Sequence, residues 1–488
     1  MRVLLLRPHP GNDRFGLGPF FQVEPLGLAY AAKALAARGH EPAIADLRHD
    51  RLAPWLRRTR PGMVGISCMH ALEIDRVLEL AREVRRRAPG AFVLVGGQAA
   101  AAFPGPFDDP AVDAVCLDDG EEVVPALADA LAAGRPAGLV PALRLRTAAG
   151  ITETEPLPER TSLDRVPLPD RRLLEPFRAR YHCLLFKPVW LVETARGCPF
   201  RCSFCSVWQH YGRSLRERSI GAVADDLAAV GPHVFIVDDL FWNHPSRSLE
   251  LARELRRRGI RKRWILVQSR CDLVARHPDL LEEWRPVAQD FDIFFGLEAA
   301  SDSGLDGLKK DATVGDSVRA AELSRSLGYG VTGNFVVDPE WEEADFERLW
   351  QFVADHGFQR CGYTVLTPLP GTEYFEGLAD RLRGQPWFKY DMHHLLWEPR
   401  LGAARFFELY AETWRRSILN LGGEKRWWDW MRQVRPHQIP YLTRVLLRTQ
   451  RMMKASAYLA EHQQAGPVRP RSELEAPAGM AAAAGAAP

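Results

Sequence analysis

Two series of short apolar runs, each followed by a helical pattern, restrict this chain to parallel α/β architecture. In the first series Val3–Leu6, Ala43–Ala45, Met63–Ser67, Phe92–Val95 and Ala111–Leu117 read as strands, with helices expected over Leu26–Arg38 and Ile74–Arg87. Strands that are apolar throughout belong in sheets covered on both faces by helices. Residues 1–140 are therefore expected to form a doubly wound parallel sheet that binds its ligand beyond the carboxyl ends of its strands. The second series supplies six candidate strands: Val189–Glu193, His233–Asp238, Trp264–Gln268, Asp292–Leu297, Gly330–Val337 and Gly362–Leu366. Helices are expected over Ile220–Val230, Ser246–Arg258, Pro278–Ala288, Val314–Leu327 and Glu343–His356. Such units over residues 189–400 fit a partial (β/α)6 TIM-like barrel, with its chemistry at the carboxyl ends of the strands. The polar residues there are Glu193, Asp238, Asp239, Gln268, Ser269, Arg270, Glu298, Asn334 and Asp338.

The Pro- and Arg-rich stretch 141–188 reads as an extended linker. Residues 401–462 read as a helical C-terminal segment, and the Ala-, Pro- and Gly-rich residues 463–488 as a disordered tail. Lys and Arg number 64 against 62 Asp and Glu, and a net charge of +2 gives no global electrostatic case for nucleic acid. No apolar run reaches the roughly 18 residues that a spanning helix needs, and the opening Met1-Arg2-Val3-Leu4-Leu5-Leu6 is too short for a signal peptide. A cytoplasmic enzyme is expected.

Of eight Cys, three cluster as C-x3-C-x2-C: Cys198, Cys202 and Cys205. Such clustering points to metal ligation in a reducing compartment, not to a disulfide framework. Three thiolates at this spacing can hold three irons of a four-iron cluster and leave the fourth iron open. A structural zinc ion, with His210 as the nearest fourth ligand, is the metal alternative, and three buried unliganded Cys are a third reading. Cys68, Cys116, Cys183, Cys271 and Cys361 are scattered and expected to be packing residues.

The segment Arg196-Gly197-Cys198-Pro199-Phe200-Arg201-Cys202-Ser203-Phe204-Cys205 follows the first strand of the second series directly. It resembles the cluster motif of the radical S-adenosylmethionine superfamily, in which an aromatic residue precedes the last Cys. The resemblance implies a 4Fe-4S cluster on Cys198, Cys202 and Cys205 whose open iron binds S-adenosyl-L-methionine, and an electron donor such as a flavodoxin or ferredoxin. It further implies that Asp238 and Asp239 hold the methionine part, that Glu298 of Gly296-Leu297-Glu298 accepts from the ribose hydroxyls, and that Ser269 and Arg270 meet the carboxylate or ribose. Thr367-Pro368-Leu369-Pro370-Gly371-Thr372 resembles the segment closing the sixth unit. Each has a plainer reading: helix caps for Asp238, Asp239 and Glu298, a surface ion pair for Arg270.

The amino-terminal half resembles the cobalamin-binding domains that precede some radical S-adenosylmethionine domains. The matching segments are Glu24-Pro25-Leu26-Gly27-Leu28, Val64-Gly65-Ile66-Ser67, Val95-Gly96-Gly97-Gln98 and Asp119-Gly120-Glu121-Glu122. Glycines after a strand let backbone approach a large flat ring. The resemblance thus implies cobalamin contacts from Ser67, Gly96, Gly97, Gln98 and Glu121. Many such domains carry Asp-x-His-x-x-Gly after the first strand, and its His binds cobalt. Here that loop reads Arg7-Pro8-His9-Pro10-Gly11-Asn12, so His9 is expected to be an ordinary loop residue. The acidic motif departs too: Asp118-Asp119-Gly120-Glu121 stands in place of Gly-Glu-Gly-Glu.

Further segments, including Ser206-Val207-Trp208, Tyr211-Gly212-Arg213-Ser214 and Asp338-Pro339-Glu340-Trp341, resemble the hopanoid-methylating branch of these enzymes. The implied activity is a cobalamin-dependent methyltransferase acting on an unactivated carbon, with a hopanoid or other small molecule or lipid as substrate. A cobalamin-containing radical enzyme that cyclises or oxidises without methylating is the same-scaffold alternative, and a zinc-dependent RNA-binding or scaffold protein the alternative from another class. Between Trp414 and Lys454 lie ten Lys or Arg and two acids, with Trp427, Trp428 and Trp430 among them. Such a segment suits peripheral contact with a membrane surface. Its plainer reading is helices packed over the barrel with Arg facing water.

Overall fold

The computed structural model describes residues 1–9, 21–158, 160, 162–183, 185–358, 361–378, 382, 384–419, 436 and 439–464. Strands β1 (Arg2–Arg7), β2 (Glu41–Asp46), β3 (Met63–Ser67), β4 (Phe92–Gly96) and β5 (Ala114–Cys116) are parallel and lie in the order β2-β1-β3-β4-β5. In this winding the switch point falls between β1 and β3, where open α/β sheets bind ligands. Strand β1 shows why the sequence is apolar without alternation. Leu4 and Leu6 pack into the core under helices α2 (Leu52–Thr59) and α3 (Ile74–Arg87). Val3 and Leu5 pack on the opposite face against α1 (Leu26–Ala37) and α4 (Gly120–Ala132).

Strands β6 (Leu143–Thr147) and β7 (Gly150–Glu153) extend this sheet antiparallel beyond β5. The stretch 141–188 is therefore not an extended linker. Leu143-Arg144-Leu145-Arg146 alternates with period two, the leucines buried and Arg144 paired with Asp108 and Glu153. Arg171–Arg180 forms a short helical segment whose Arg171 and Arg178 are sunk into ion pairs with Glu24, Arg171 also with Asp226. These two arginines are internal fasteners, while Arg172 and Glu175 stay exposed.

The second sheet comprises β8 (Trp190–Val192), β9 (His233–Ile236), β10 (Lys262–Ser269), β11 (Ala288–Glu298), β12 (Gly330–Val337) and β13 (Cys361–Val365), parallel and in sequence order. Helices α5 (Val207–Tyr211), α6 (Ile220–Ala229), α7 (Pro245–Arg257), α8 (Val314–Ser326) and α9 (Glu343–Asp355) lie between them. The helix expected over Pro278–Ala288 stops at Trp284, because Pro286 tightens the next turn and β11 begins at Ala288. Beyond the barrel come α10 (Ala403–Leu419), α11 (Ile439–Thr449) and α12 (Ala455–Gln464). Gln463 and Gln464 thus belong to a helix, and the rest of the expected tail lies outside the described residues. Among the described residues no helix is long and apolar enough to cross a membrane.

Helix α1 joins the two halves. Its Ala29, Ala32 and Leu35 belong to the core of the first sheet. Leu26 and Tyr30 pack with Leu191, Phe235 and Trp264 of the barrel. The far end is closed by the strap 387–397: Tyr390, Leu396 and Trp397 enter the core beside α3, and Met392 accepts the N–H of Val365 at 2.7 Å. His394, wholly buried in this strap, lies 3.0 Å from Asp391 and 3.2 Å from Glu461 of α12. Burial opposes its charge, but the two carboxylates overcome that and raise it from 6.5 to about 9. A raised His contributes stability that is complete below its unfolded value and lost as pH climbs through the folded one. We expect up to about 3 kcal/mol of stability to disappear between pH 6.5 and 9, the larger part from the strap's own Asp391 pair and the smaller from the docking of α12 through Glu461. Hydrogen exchange of residues 455–464 across that range checks it, and His394→Gln should flatten the dependence.

Candidate cofactor site

The carboxyl ends of β1, β3, β4 and β5 open onto a cavity of about 450 Å3. Its deep end is a slot between the sheet and helices α1 and α4, walled by Leu5, Gly65, Leu94, Ala31 and Val124. Its mouth reaches the barrel at Glu193, Arg196, Tyr211 and Asp239. Ser67, Gly96, Gly97, Gln98 and Glu121 all line it, and so does Asp239. The residues chosen from sequence for cobalamin therefore share one wall. Gln98 Nε2 lies 3.3 Å from Ser206 Oγ, just past the Cys loop, so that wall also touches the second half.

A Cβ on Gly27, which faces the slot from the first turn of α1, would meet nothing within 4 Å. The Tyr30 hydroxyl, also on the wall, is buried and has no hydrogen-bond partner among the described residues. Gly97 differs. Its φ is 108°, and a Cβ there would sit 2.6 Å from the carbonyl oxygen of Cys68. Enlarging Gly97 would thus deform loop 67–70 before it blocked the cavity. His9 is exposed and does not line the cavity. His70 and His210 do. Burial holds His70 neutral by lowering it to about 4, and its ring accepts the N–H of Glu73.

Cys198, Cys202 and Cys205 lie on the loop after β8, beside the mouth. Burial raises all three thiols, and with the other two sulfurs adding to it Cys205 reaches about 12. They are close enough to repel as thiolates and need a cation to ionise. Among the described residues no three Cys, His, Asp or Glu groups converge as one metal ion would require. A four-iron cluster, by contrast, spreads its thiolates over separate irons. His210 turns its ring edge-on to Tyr211 on the cavity wall. All five remaining Cys are buried.

Asp238 and Asp239 leave β9 in opposite roles. Asp238 accepts the N–H of Thr194 at 2.6 Å and the Thr194 hydroxyl, so it fastens the end of β8 and caps no helix. Asp239 accepts the N–H of Gly197 at 3.0 Å and faces the cavity, with burial raising it to about 6. Gly197 itself has φ 95°, and any Cβ would collide with the Ser214 carbonyl. Ser269 is buried with its hydroxyl on the carbonyl of Phe241. Arg270 is no surface ion pair: it stacks 3.7 Å over Phe200, binds Asp272 at 2.8 Å and donates to the carbonyls of Lys310 and Asp311. Glu298 stands at a β-bulge with φ 63° and pairs with Lys310 Nζ at 2.9 Å. Burial works against the Lys310 ammonium, but Glu298 and Cys202 keep it charged. A buried cation beside the loop, facing a strained carboxylate, suits a ligand that carries both an amine and a carboxylate. Sequence reading missed Lys310, because Lys309-Lys310-Asp311 looks like any solvated turn. It also missed Tyr211 and Tyr30, whose phenols resemble ordinary core aromatics.

Gly27→Leu should fill the slot at little cost to the fold, since glycine is a poor helix former by about 0.8–1.0 kcal/mol. We expect cobalamin retained on gel filtration to fall severalfold while the melting temperature of the cofactor-free chain holds or rises. Unchanged retention would place the cofactor away from this slot.

The B12 binding domain family matches residues 19–128, and the radical SAM superfamily matches residues 192–353. The chain is 31% identical over 420 residues to the hopanoid C-3 methylase of Methylococcus capsulatus, covering 85% of this chain and 79% of that protein. It is 26% identical to the anaerobic magnesium-protoporphyrin IX monomethyl ester cyclase of Rubrivivax gelatinosus, over 86% and 78% of the two chains. Among solved structures, the radical S-adenosylmethionine methyltransferase TsrM from Kitasatospora setae, with cobalamin and a 4Fe-4S cluster bound, superposes with a TM-score of 0.63 at 20% identity, covering 78% of each chain. The cobalamin-dependent S-adenosylmethionine radical enzyme OxsB superposes with a TM-score of 0.69 at 15% identity, over 93% of this chain and 72% of that one. With both domain families matched in order and nearly a third of residues shared along most of the methylase, this chain belongs to the cobalamin-dependent radical S-adenosylmethionine methyltransferase family.

Proposed function

We propose that this enzyme methylates an unactivated carbon of a polycyclic lipid, a hopanoid first among them. The supporting observation is the single cavity whose walls run from the cobalamin-type slot to the foot of the Cys loop, leaving a substrate carbon room to lie between the two. The likeness to a hopanoid methylase supports the choice of lipid. When bound, the cofactors supply a 5′-deoxyadenosyl radical, made by one-electron cleavage of S-adenosylmethionine at the cluster, and a methyl group carried on cobalt. The chain's own residues position and shield. Cys198, Cys202 and Cys205 hold three irons, Glu298 and Lys310 meet the ribose and the amino-acid end of S-adenosylmethionine, and Asp239 fixes Gly197 under the loop. Ser67, Gly97, Gln98 and Glu121 line the seat of the corrin. Asp238, Ser269 and Arg270 act one step back, by holding β8 and the loops around the cluster. A flavodoxin- or ferredoxin-type protein supplies the electron.

The reconstituted enzyme, kept anaerobic with S-adenosylmethionine labelled in its methyl group and a hopanoid, should release 5′-deoxyadenosine together with methylated lipid. Cys202→Ala should reduce both to background. Deoxyadenosine without label in the lipid would favour the cyclising or oxidising alternative.

A lipid substrate also asks for contact with a bilayer. Helix α11 exposes Ile439 and Leu447, eight positions apart and hence on one face. Trp427, Trp428 and Trp430 lie outside the described residues. Arg415 and Arg416 are partly neutralised by Glu412, and Trp414 is buried against Tyr363, so α10 packs on the barrel. Each cation held near an anionic surface contributes about 1 kcal/mol. Cosedimentation with anionic vesicles should therefore weaken with salt and with Ile439→Ser plus Leu447→Ser. Equal recovery with and without vesicles at low salt would leave packing as the helices' whole role.

A further inference from the structure

We infer that Arg196 is a positioning residue that sets the register between the cluster loop and the cobalamin wall. This rests on the two-cofactor reading above. Arg196 stands two residues before Cys198, a distance that the backbone spans in at most about 7 Å. Its guanidinium is buried at the cavity mouth and takes carboxylates from both halves of the protein. On its own side, Nε and Nη2 each lie 2.9 Å from Glu193, at the end of β8. Across the interface Nη1 binds Glu121 and lies 3.5 Å from Asp119. Both acids stand at the amino end of α4 and line the cavity. Tyr30 of α1 presents its ring 5.4 Å from the same guanidinium.

The anchoring is redundant on the backbone side, and on the far side it converges on the amino end of α4. Ala195 and Arg196 pair as a short antiparallel ladder with Glu217 and Arg216, and the next N–H, from Gly197, is held by Asp239. The root of the Cys loop therefore cannot swing by itself. Arg216, from the paired strand, adds a second reach across the interface to Asp119 at 2.7 Å. A planar fork that holds one carboxylate with two nitrogens and a second with its third fixes angle as well as distance. An ammonium, being a point charge, does not. Loss of the fork should leave each cofactor seat intact and let the two seats move relative to one another.

The test uses the full-length holoenzyme with its cluster reduced and its cobalamin as cob(II), both paramagnetic. Pulsed dipolar spectroscopy between the two spins should give one narrow distance distribution in the wild type. Arg196→Met should lose the narrow distribution while iron and cobalamin per chain stay at wild-type levels. Arg196→Lys, which keeps charge without the fork, should recover it only in part. A narrow, unshifted distribution in Arg196→Met overturns the inference. Should that variant fail to fold or load, Glu121→Gln weakens the same contact from the other half and is expected to broaden the distribution. An unchanged distribution there overturns it equally. A wild-type protein that binds no cobalamin, or shows no dipolar coupling at all, fails differently: it removes the two-cofactor reading and this inference with it.

Discussion

The carboxyl ends of the first sheet and of β8 and β9 of the second meet at one cavity, so side chains do not fill the joint between the two halves. The structure depends on how that joint is held at its rim. Buried arginine–carboxylate pairs do it in two places. Glu24, fully buried, accepts the N–H of Leu191 at the start of the barrel and pairs with Arg171 and Arg178, while Arg171 also grips Asp226 of α6. Arg196 and Arg216 do the same nearer the site with Asp119, Glu121 and Glu193. Such pairs add little net stability, since desolvation offsets most of the attraction, but removing one partner strands a buried charge and costs about 3–5 kcal/mol. Their contribution is geometric: each pair fixes the spacing between groups carried by different elements.

That docking in turn explains the residues around the Cys loop. Gly197 must pass so close to the Ser214 carbonyl that no side chain fits. Asp238 and Asp239, adjacent in sequence, point to opposite sides of β9's end, one tying down Thr194 and the other Gly197. Arg270 then braces the loop from the barrel side by lying flat on Phe200. The result is a loop with fixed ends whose thiols are kept protonated by burial until a metal cation arrives.

Much of this was legible in the sequence, and the rest fails for identifiable reasons. Strands buried on both faces announce themselves, which is why β3 and β12 appear over the residues expected of them. The hairpin β6–β7 was missed because its Leu-Arg alternation spans only a few residues inside a Pro-rich stretch. The Cys spacing and the strand-end glycines carry local chemistry, and local chemistry reads directly. Arg196, Arg171 and Lys310 do not read that way. A charge in a sequence is solvated by default, and only the folded partner shows that it is buried. Asp238 illustrates the converse: a polar residue at a strand's carboxyl end was expected to meet ligand, yet side-chain direction decides the matter and Thr194 claims it.

The cavity's two ends differ in kind, and the difference orders what each can hold. The slot is apolar and glycine-lined, so it selects by shape and suits a flat or elongated group inserted edgewise. The mouth is charged, but its charges are spent on one another: Arg196 on Glu121 and Glu193, Arg216 on Asp119. Paired charges penalise an apolar group passing them less than a row of free carboxylates would. The same pairing that ties the two halves together therefore also leaves fewer free charges along the passage between them.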